Sequence, residues 1–408
     1  MTIGKISLQN IKSKPLYTFL SVFILALSIA LLLGIQQLEA SFKYQMENNL
    51  GDIDLVIGAK GSPLQLVLAS VLHLDSPTGN ILYEDAKKIS KNPLIKTAVP
   101  ISYGDNYKGY RIVGTTDKFA PLYNAKLEKG RAVKKSMEVI LGHTVAEQLH
   151  LNIGDTFLSS HGLVENNVHM HSEHLTVVGI LNPTQKVIDR LIITNLESVW
   201  DVHHHDDNEA HEKEENHAEH HEELDEGKEI TSLLISFRNP SALLTLPRRI
   251  NEHTNMQAAL PKYELDRLYQ YTGVGVKTIS WIAYMILIIS CMTIFISLYK
   301  MVKERAFDLA LLRTYGASNF QLIRMVVYEG LAIAFLAFIL GFMLSKAGLY
   351  FMLKIVETNY KQNILQALPF QEFTQTGALV FVMIVFSVSL AIYPIIKMNI
   401  STILSNEK

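Results

Sequence analysis

Apolar residues follow two regimes along this chain. Long unbroken apolar runs lie toward its ends, and a more polar stretch from Gln36 to Lys277 separates the first run from the rest. A helix needs roughly 20 apolar residues to cross a hydrocarbon core about 30 Å thick. Four segments qualify: Leu16–Ile35, Ile279–Leu298, Met325–Leu344 and Gly377–Ile396. Only the third holds a charged residue, Glu329, about one turn inside its start, a depth that reads as interfacial. The pattern predicts a membrane α-helical protein with four transmembrane helices, one followed by three, and a large α+β domain between spans one and two. The first run exceeds the ~7–15 residues of a signal-peptide core. With Leu38-Glu39-Ala40 a poor cleavage signal, an uncleaved anchor is expected.

Charge orients the spans. Lys5, Lys12 and Lys14 precede the first. Lys300, Lys303, Arg305, Arg313 and Arg324 lie between the second and third, and Lys397 follows the fourth. Lysine and arginine concentrate in short cytoplasmic flanks. Residues 1–15, 299–324 and 397–408 are therefore expected inside, with both termini cytoplasmic, and residues 36–277 and 345–376 outside. Lys346, Lys354 and Lys361 run against this, partly offset by Glu357 and Glu372.

Within the outer domain, short β-branched runs punctuated by Gly and Pro predict strands at Ile53–Ile57, Arg111–Val113, Val139–Leu141, Leu175–Ile180, Leu191–Ile193 and Ser232–Phe237. Helical spacing appears near Tyr83–Ser90, Thr144–Leu149 and Leu243–Glu252. At least two subdomains are expected.

Composition changes this picture little. Apolar residues make up 49% of the 408, close to average, so the patterning and not the total marks the membrane class. The formal net charge of -2 argues against a nucleic-acid partner. A single cysteine, Cys291, rules out an intramolecular disulfide, and a lone thiol in an apolar run usually packs. Neither Gly58–Pro63 nor Gly273–Thr278 has the spacing of a phosphate loop. No catalytic set is evident, and the chain is expected to be no enzyme and to hold no nucleotide cofactor. Any ATP and magnesium would sit on another polypeptide.

The segment between spans two and three is the most specific. Lys303–Arg313 reads as a short helix with Phe307, Ala310, Leu311 and Tyr315 as its apolar stripe. Arg305 and Asp308 are spaced for an i, i+3 pair. Gly316 is placed to end the helix in a left-handed conformation, and Ser318 with Gln321 has the spacing of a capping box. Two readings stay open: an amphipathic connector at the headgroups, or a lever gripped by a cytoplasmic partner.

The run Glu304-Arg305-Ala306-Phe307-Asp308-Leu309-Ala310-Leu311-Leu312-Arg313-Thr314-Tyr315-Gly316-Ala317-Ser318 resembles the E-R-x-x-E-I-x-x-L-R-x-x-G-A-S segment of FtsX-like/MacB-like ABC transporter permeases, the type VII class. Asp308 stands where the family usually has glutamate. The amphipathic start, Leu127–Arg131, Val139–Gly142, Leu149–Asp155, Thr176–Leu181 and Tyr393–Leu404 are also similar to family segments. The resemblance implies a MacB-like core domain outside, a second copy of the chain, surrounding lipid and a cytoplasmic ABC ATPase. Glu304, Arg305, Asp308, Arg313, Gly316, Ala317 and Ser318 would carry the coupling. It further implies the bacterial cytoplasmic (inner) membrane and mechanotransmission, with export or extraction of a lipoprotein, peptide or drug-like substrate and a periplasmic or extracellular partner. A non-transport scaffold regulating a cell-wall hydrolase or sensor kinase is the alternative within the same architecture.

A second alternative comes from Asp201–Glu229, where apolar residues nearly vanish and the segment cannot bury enough surface to fold alone. His203, His204, His205, His211, His217, His220 and His221 are interleaved there with acidic residues, and His161, His169, His171 and His174 precede them. Imidazole suits zinc, copper and nickel, and His-rich tracts are compositional metal signals without fixed spacing. The insert is thus a candidate zinc site, and a zinc transport or sensing system is a possible setting. Deleting Asp201–Glu229 should abolish most zinc binding by the purified chain in isothermal titration. Undiminished zinc binding contradicts the insert as the ligand source.

Overall fold

The computed structural model describes residues 15–160, 170–202, 227–360 and 370–396. The expected N-terminal amphipathic helix, His203 to His221 of the insert, His161 and His169, and the 397–408 tail lie outside these residues. The contacts divide the chain into two compact units. One comprises Met1–Lys43, Thr272–Tyr360 and Ile364–Lys408, the other Tyr44–Tyr271 with Lys361–Asn363.

The first unit is helical. Four helices are long and apolar enough to cross a membrane: Pro15–Asn49, Pro261–Glu304, Asn319–Tyr360 and Phe370–Ile396. Each contains one predicted span and overruns it. A bilayer fixes how long the apolar stretch must be, but the helix ends only where capping or backbone breaks it.

Each helix buries one stripe at helical spacing: Val22, Leu25, Ala26, Ile29, Leu32 and Leu33 on the first; Ala283, Leu287, Ile294 and Leu298 on the second; Val326, Ile333 and Ala337 on the third; Val380, Ile384, Val388 and Ala391 on the fourth. The opposite faces expose Phe19, Phe23, Leu27, Ile282, Met285, Ile289, Phe335, Phe381 and Phe386. Apolar exposure of this extent suits a lipid solvent and not water.

Small and polar residues bring the helices together. A Cβ on Gly341 would stand 2.8 Å from the Ala26 carbonyl oxygen and 2.9 Å from Ile29 Cβ, so glycine is what allows the first and third helices their approach. The Ser28 and Ser290 hydroxyls lie 2.6 Å apart, and the Ser387 hydroxyl donates to the Cys291 carbonyl at 3.1 Å. Lys346, whose charge ran against the orientation rule, donates through Nζ to Gln37 Oε1 at 3.0 Å. It therefore belongs to the helix packing and not to a loop.

The second unit is a mixed α/β domain around one large sheet of ten strands among the described residues. β1 (Leu55–Ala59), β11 (Ser232–Phe237) and β12 (Met256–Ala259) form one end; β4 (Tyr110–Thr115), β9 (Ile192–Asn195), β6 (Glu138–Leu141), β8 (Met170–Leu181) and β5 (Leu127–Gly130) continue the other. β3 (Ile95–Tyr107) joins them: Ile95–Ile101 pairs with β11, and Ser102–Tyr107 with β4. β7 (Thr156–Ser160) pairs with β3 and β8, and the short β2 (Ile81–Leu82) and β10 (Glu229–Ile230) pair with each other. β4–β9 and β6–β8 are parallel and the remaining pairs antiparallel.

Alternation along β1 and β11 sends Leu55, Ile57, Leu233 and Ile235 into one cluster, and Val56 and Leu234 into another. Both faces are covered, so these strands read as unbroken apolar runs. The six runs predicted as strands are all strands, and the three helical segments are helices. The length of β3 escaped the pattern because Pro100 and Gly104 interrupt it. Pro100 cannot donate to a ladder, yet it holds register opposite Leu233.

Two ionisable groups in this unit govern its response to acid. His73 is buried, and burial together with the charges of Arg111 and Arg190 pushes its pKa down to about 3. The Tyr103 hydroxyl donates to the Ala69 carbonyl and accepts from His73 Nδ1 at 2.8 Å, which places the proton of the neutral ring on Nδ1. Glu138 accepts two bonds from Arg131, at 2.6 and 2.7 Å, and backbone amides of Lys134 and Lys135; these lower its pKa to about 2.

Both groups bind protons more weakly folded than unfolded, so each loses its stabilisation as pH falls. His73 does so from its ordinary 6.5 toward 3, and Glu138 from 4.5 toward 2. Melting temperatures should therefore fall in two overlapping steps. Glu138→Gln should remove the lower step and leave the upper. An unaltered profile in that variant contradicts the assignment.

Candidate coupling site

The second long helix ends at Glu304, and the third begins at Asn319. Between them a short helix, Ala306–Thr314, follows a break at Arg305, whose backbone sits at φ -104 and ψ 16. The break does not strand the backbone: the Arg305 amide donates to the Met301 carbonyl at 3.3 Å, and its own carbonyl accepts from Leu309 at 2.9 Å.

The short helix closes in a Schellman motif. The Ala317 amide donates to the Leu312 carbonyl and the Gly316 amide to that of Arg313, each at 3.0 Å. Gly316 takes φ +95, with nothing within 4 Å of where a Cβ would stand. Backbone conformation and not space demands glycine there. A capping box starts the next helix: the Gln321 amide donates to Ser318 Oγ at 3.3 Å, and the Ser318 amide to Gln321 Oε1 at 3.0 Å.

The buried face differs from the expected one. Leu309 and Ala310 are buried with Val302, Leu322 and Val326, whereas Leu311 and Tyr315 are exposed and Phe307 is half-buried. The expected stripe chose aromatic and leucine positions by apolarity. The break at Arg305 and the packing of both flanking helices instead turn the Leu309 and Ala310 side inward, with Ala306 and Arg313 half-buried at its margins. The outward side carries Leu311, Leu312 and Tyr315, with Phe320 exposed just beyond the corner, and Tyr315 is 81% exposed. Leu312 and Phe320 were not singled out by the sequence; the two facing helices, which fix the phase, could not be seen in it.

Glu304 is exposed and paired with Lys300 at 3.8 Å. Arg305, Arg313 and Ala317 are half-buried, Gly316 and Ser318 exposed, and Asp308 lies within the short helix. Of the seven coupling candidates, Asp308 and Arg313 lie on the short helix, Glu304 and Arg305 at the break before it, and Gly316, Ala317 and Ser318 at the corner after it. Glu329, about one turn into the predicted span and nearly three turns into the helix that contains it, is buried at 2% exposure, so its carboxyl faces protein.

His203, His204, His205, His211, His217, His220 and His221 lie outside the described residues. Among the described residues no group of three or more His, Cys, Asp and Glu could hold a metal ion.

Residues 18–242 match the family model described as the MacB-like periplasmic core domain, and residues 280–400 the FtsX-like permease C-terminal model. The chain belongs to the MacB/FtsX-like ABC permease family. It is a membrane permease component of ABC systems, and the short helix with its corner lies inside the matched permease segment. No curated protein sequence matches the chain.

Solved structures similar to the chain include two such domains. The periplasmic region of MacB from Actinobacillus actinomycetemcomitans shares 12% identity, covering 55% of this chain and 97% of that one, with a TM-score of 0.35. The extracellular domain of the noncanonic ABC-type transporter YknZ from Gram-positive bacteria shares 11%, covering 50% and 98%, with a TM-score of 0.31.

Gly316→Ala should destabilise the corner by about 1 kcal/mol, the usual cost of a left-handed non-glycine residue. Gly316→Asn should cost less. Equal melting temperatures for wild type and Gly316→Ala contradict the backbone requirement.

Proposed function

We propose that this permease couples a separate cytoplasmic ABC ATPase to movement of its outer domain, with the short helix Ala306–Thr314 and the Gly316 corner as the point of contact. The observation that carries this reading is the corner itself. Its backbone is fully capped at both sides, and it presents Leu311, Leu312, Tyr315 and Phe320 outward. Exposed aromatic and leucine side chains supply the anchors by which partner surfaces hold one another. Arg305 and Arg313 flank the patch and suit acidic groups on the partner.

In this reading the chain sits in a bacterial cytoplasmic membrane with both termini inside, pairs with a second copy, and leaves ATP and magnesium to the partner. Mechanotransmission fits the spans better than a polar conduit, because Glu329 is the one acidic or basic residue within the four predicted apolar runs. The substrate class consistent with this family is a lipoprotein, a peptide or a drug-like molecule.

The double variant Arg305→Glu/Arg313→Glu should abolish stimulation of the partner ATPase in reconstituted membranes while its melting temperature stays near that of wild type. Full stimulation by a folded double variant contradicts the coupling role.

A further inference from the structure

The outer domain holds a cavity of about 370 Å³ that the coupling role does not use. Its origin is topological. β4 and β9 run parallel from Ile112 opposite Ile192 to Thr115 opposite Asn195, so both chains leave the sheet at the same edge. Past that edge they diverge. One turns through Thr116–Lys118 into the helix Phe119–Leu122, the other into a helical segment at 196–202. A crevice outside the carboxyl ends of parallel strands is where α/β sheets commonly take ligands.

The chemistry of the lining is divided. Leu127, Ile140, Leu181 and Ile193 form apolar walls, and Asp117 and Glu197 contribute exposed carboxylates. Among the described residues neither carboxylate has an ion-pair partner. The other polar lining groups are mostly committed: Thr115 Oγ1 donates to the Pro100 carbonyl, Thr194 Oγ1 to the Glu138 carbonyl, and Asn195 Oδ1 accepts from Ser198. Thr116 is different, since its Oγ1 is buried without a hydrogen-bond partner, a state that proteins seldom leave uncompensated.

We infer that this cavity binds a compact organic ammonium ion, its apolar body against Leu127, Ile140, Leu181 and Ile193 and its amine held by Asp117 and Glu197. The volume lies at the lower end of the roughly 300–1,000 Å³ typical of small-molecule sites, which matches a single-ring or short-chain ligand. Two unpaired carboxylates at an apolar cavity disfavour anions by charge. The walls leave a bare metal ion most of its surface uncoordinated. The inference does not depend on the coupling role proposed for the short helix.

The full-length chain in detergent micelles is titrated with phenethylamine, with 2-phenylethanol as the uncharged match, by isothermal calorimetry. Empty micelles correct for partitioning. The expected result is saturable binding of the amine and roughly tenfold weaker binding of the alcohol, the scale set by two exposed carboxylates. Asp117→Asn/Glu197→Gln should bring the amine down to the alcohol's affinity. Ala132→Trp, on the exposed loop that closes the cavity, should remove binding of both. No saturable binding at millimolar amine, equal affinity for amine and alcohol, or an unchanged affinity in the folded double variant each overturns the inference.

Discussion

A backbone amide inside hydrocarbon has no water to bond, and that constraint organises the whole membrane unit. It obliges each apolar run to satisfy its hydrogen bonds within a helix, so the four spans can break only where the chain leaves the core of the bilayer. The break at Arg305 and the corner at Gly316 lie between two such helices. The bonds that close them are all local: amide to carbonyl at Leu312 and Arg313, and side chain to backbone between Ser318 and Gln321. Such a corner can face a partner without depending on that partner to stay folded.

Helix association within the unit follows from the same solvent. Lipid supplies little hydrophobic drive between helices, so close approach and polar contacts decide the packing. Gly341 against Ala26, the paired hydroxyls of Ser28 and Ser290, and Lys346 reaching Gln37 are the visible instances. The outer domain obeys a different rule, since water surrounds it. Its sheet buries both faces of β1 and β11, and without disulfides its stability rests on those clusters and on local networks such as Arg131 with Glu138.

Most of this architecture was legible in the sequence, because unbroken apolar runs and β-branched runs are local signals. Gly316 and the Ser318–Gln321 pair were readable for the same reason: cap chemistry depends on residues three or four apart. The inward face of the short helix was readable only at Ala310, because Leu309 is buried by helices distant in sequence. β3 was hidden by Pro100 and Gly104, which local propensity counts against a strand although β11 and β4 hold them in one. The cavity beneath Asp117 and Glu197 depends on a parallel pairing of segments some eighty residues apart, Ile112 with Ile192, which no local pattern encodes.

The central claim is that the Gly316 corner touches the ATPase. Tyr315, 81% exposed at that corner, is the position to probe. Tyr315 would be replaced by the photocrosslinker p-benzoylphenylalanine in cells expressing the chain with its partner ATPase, with the same replacement at exposed Tyr271 in the other unit as a control. Contact at the Gly316 corner gives a light-dependent crosslink to the ATPase from position 315 and none from 271. A stable complex that crosslinks from neither position, or from 271 alone, would contradict it.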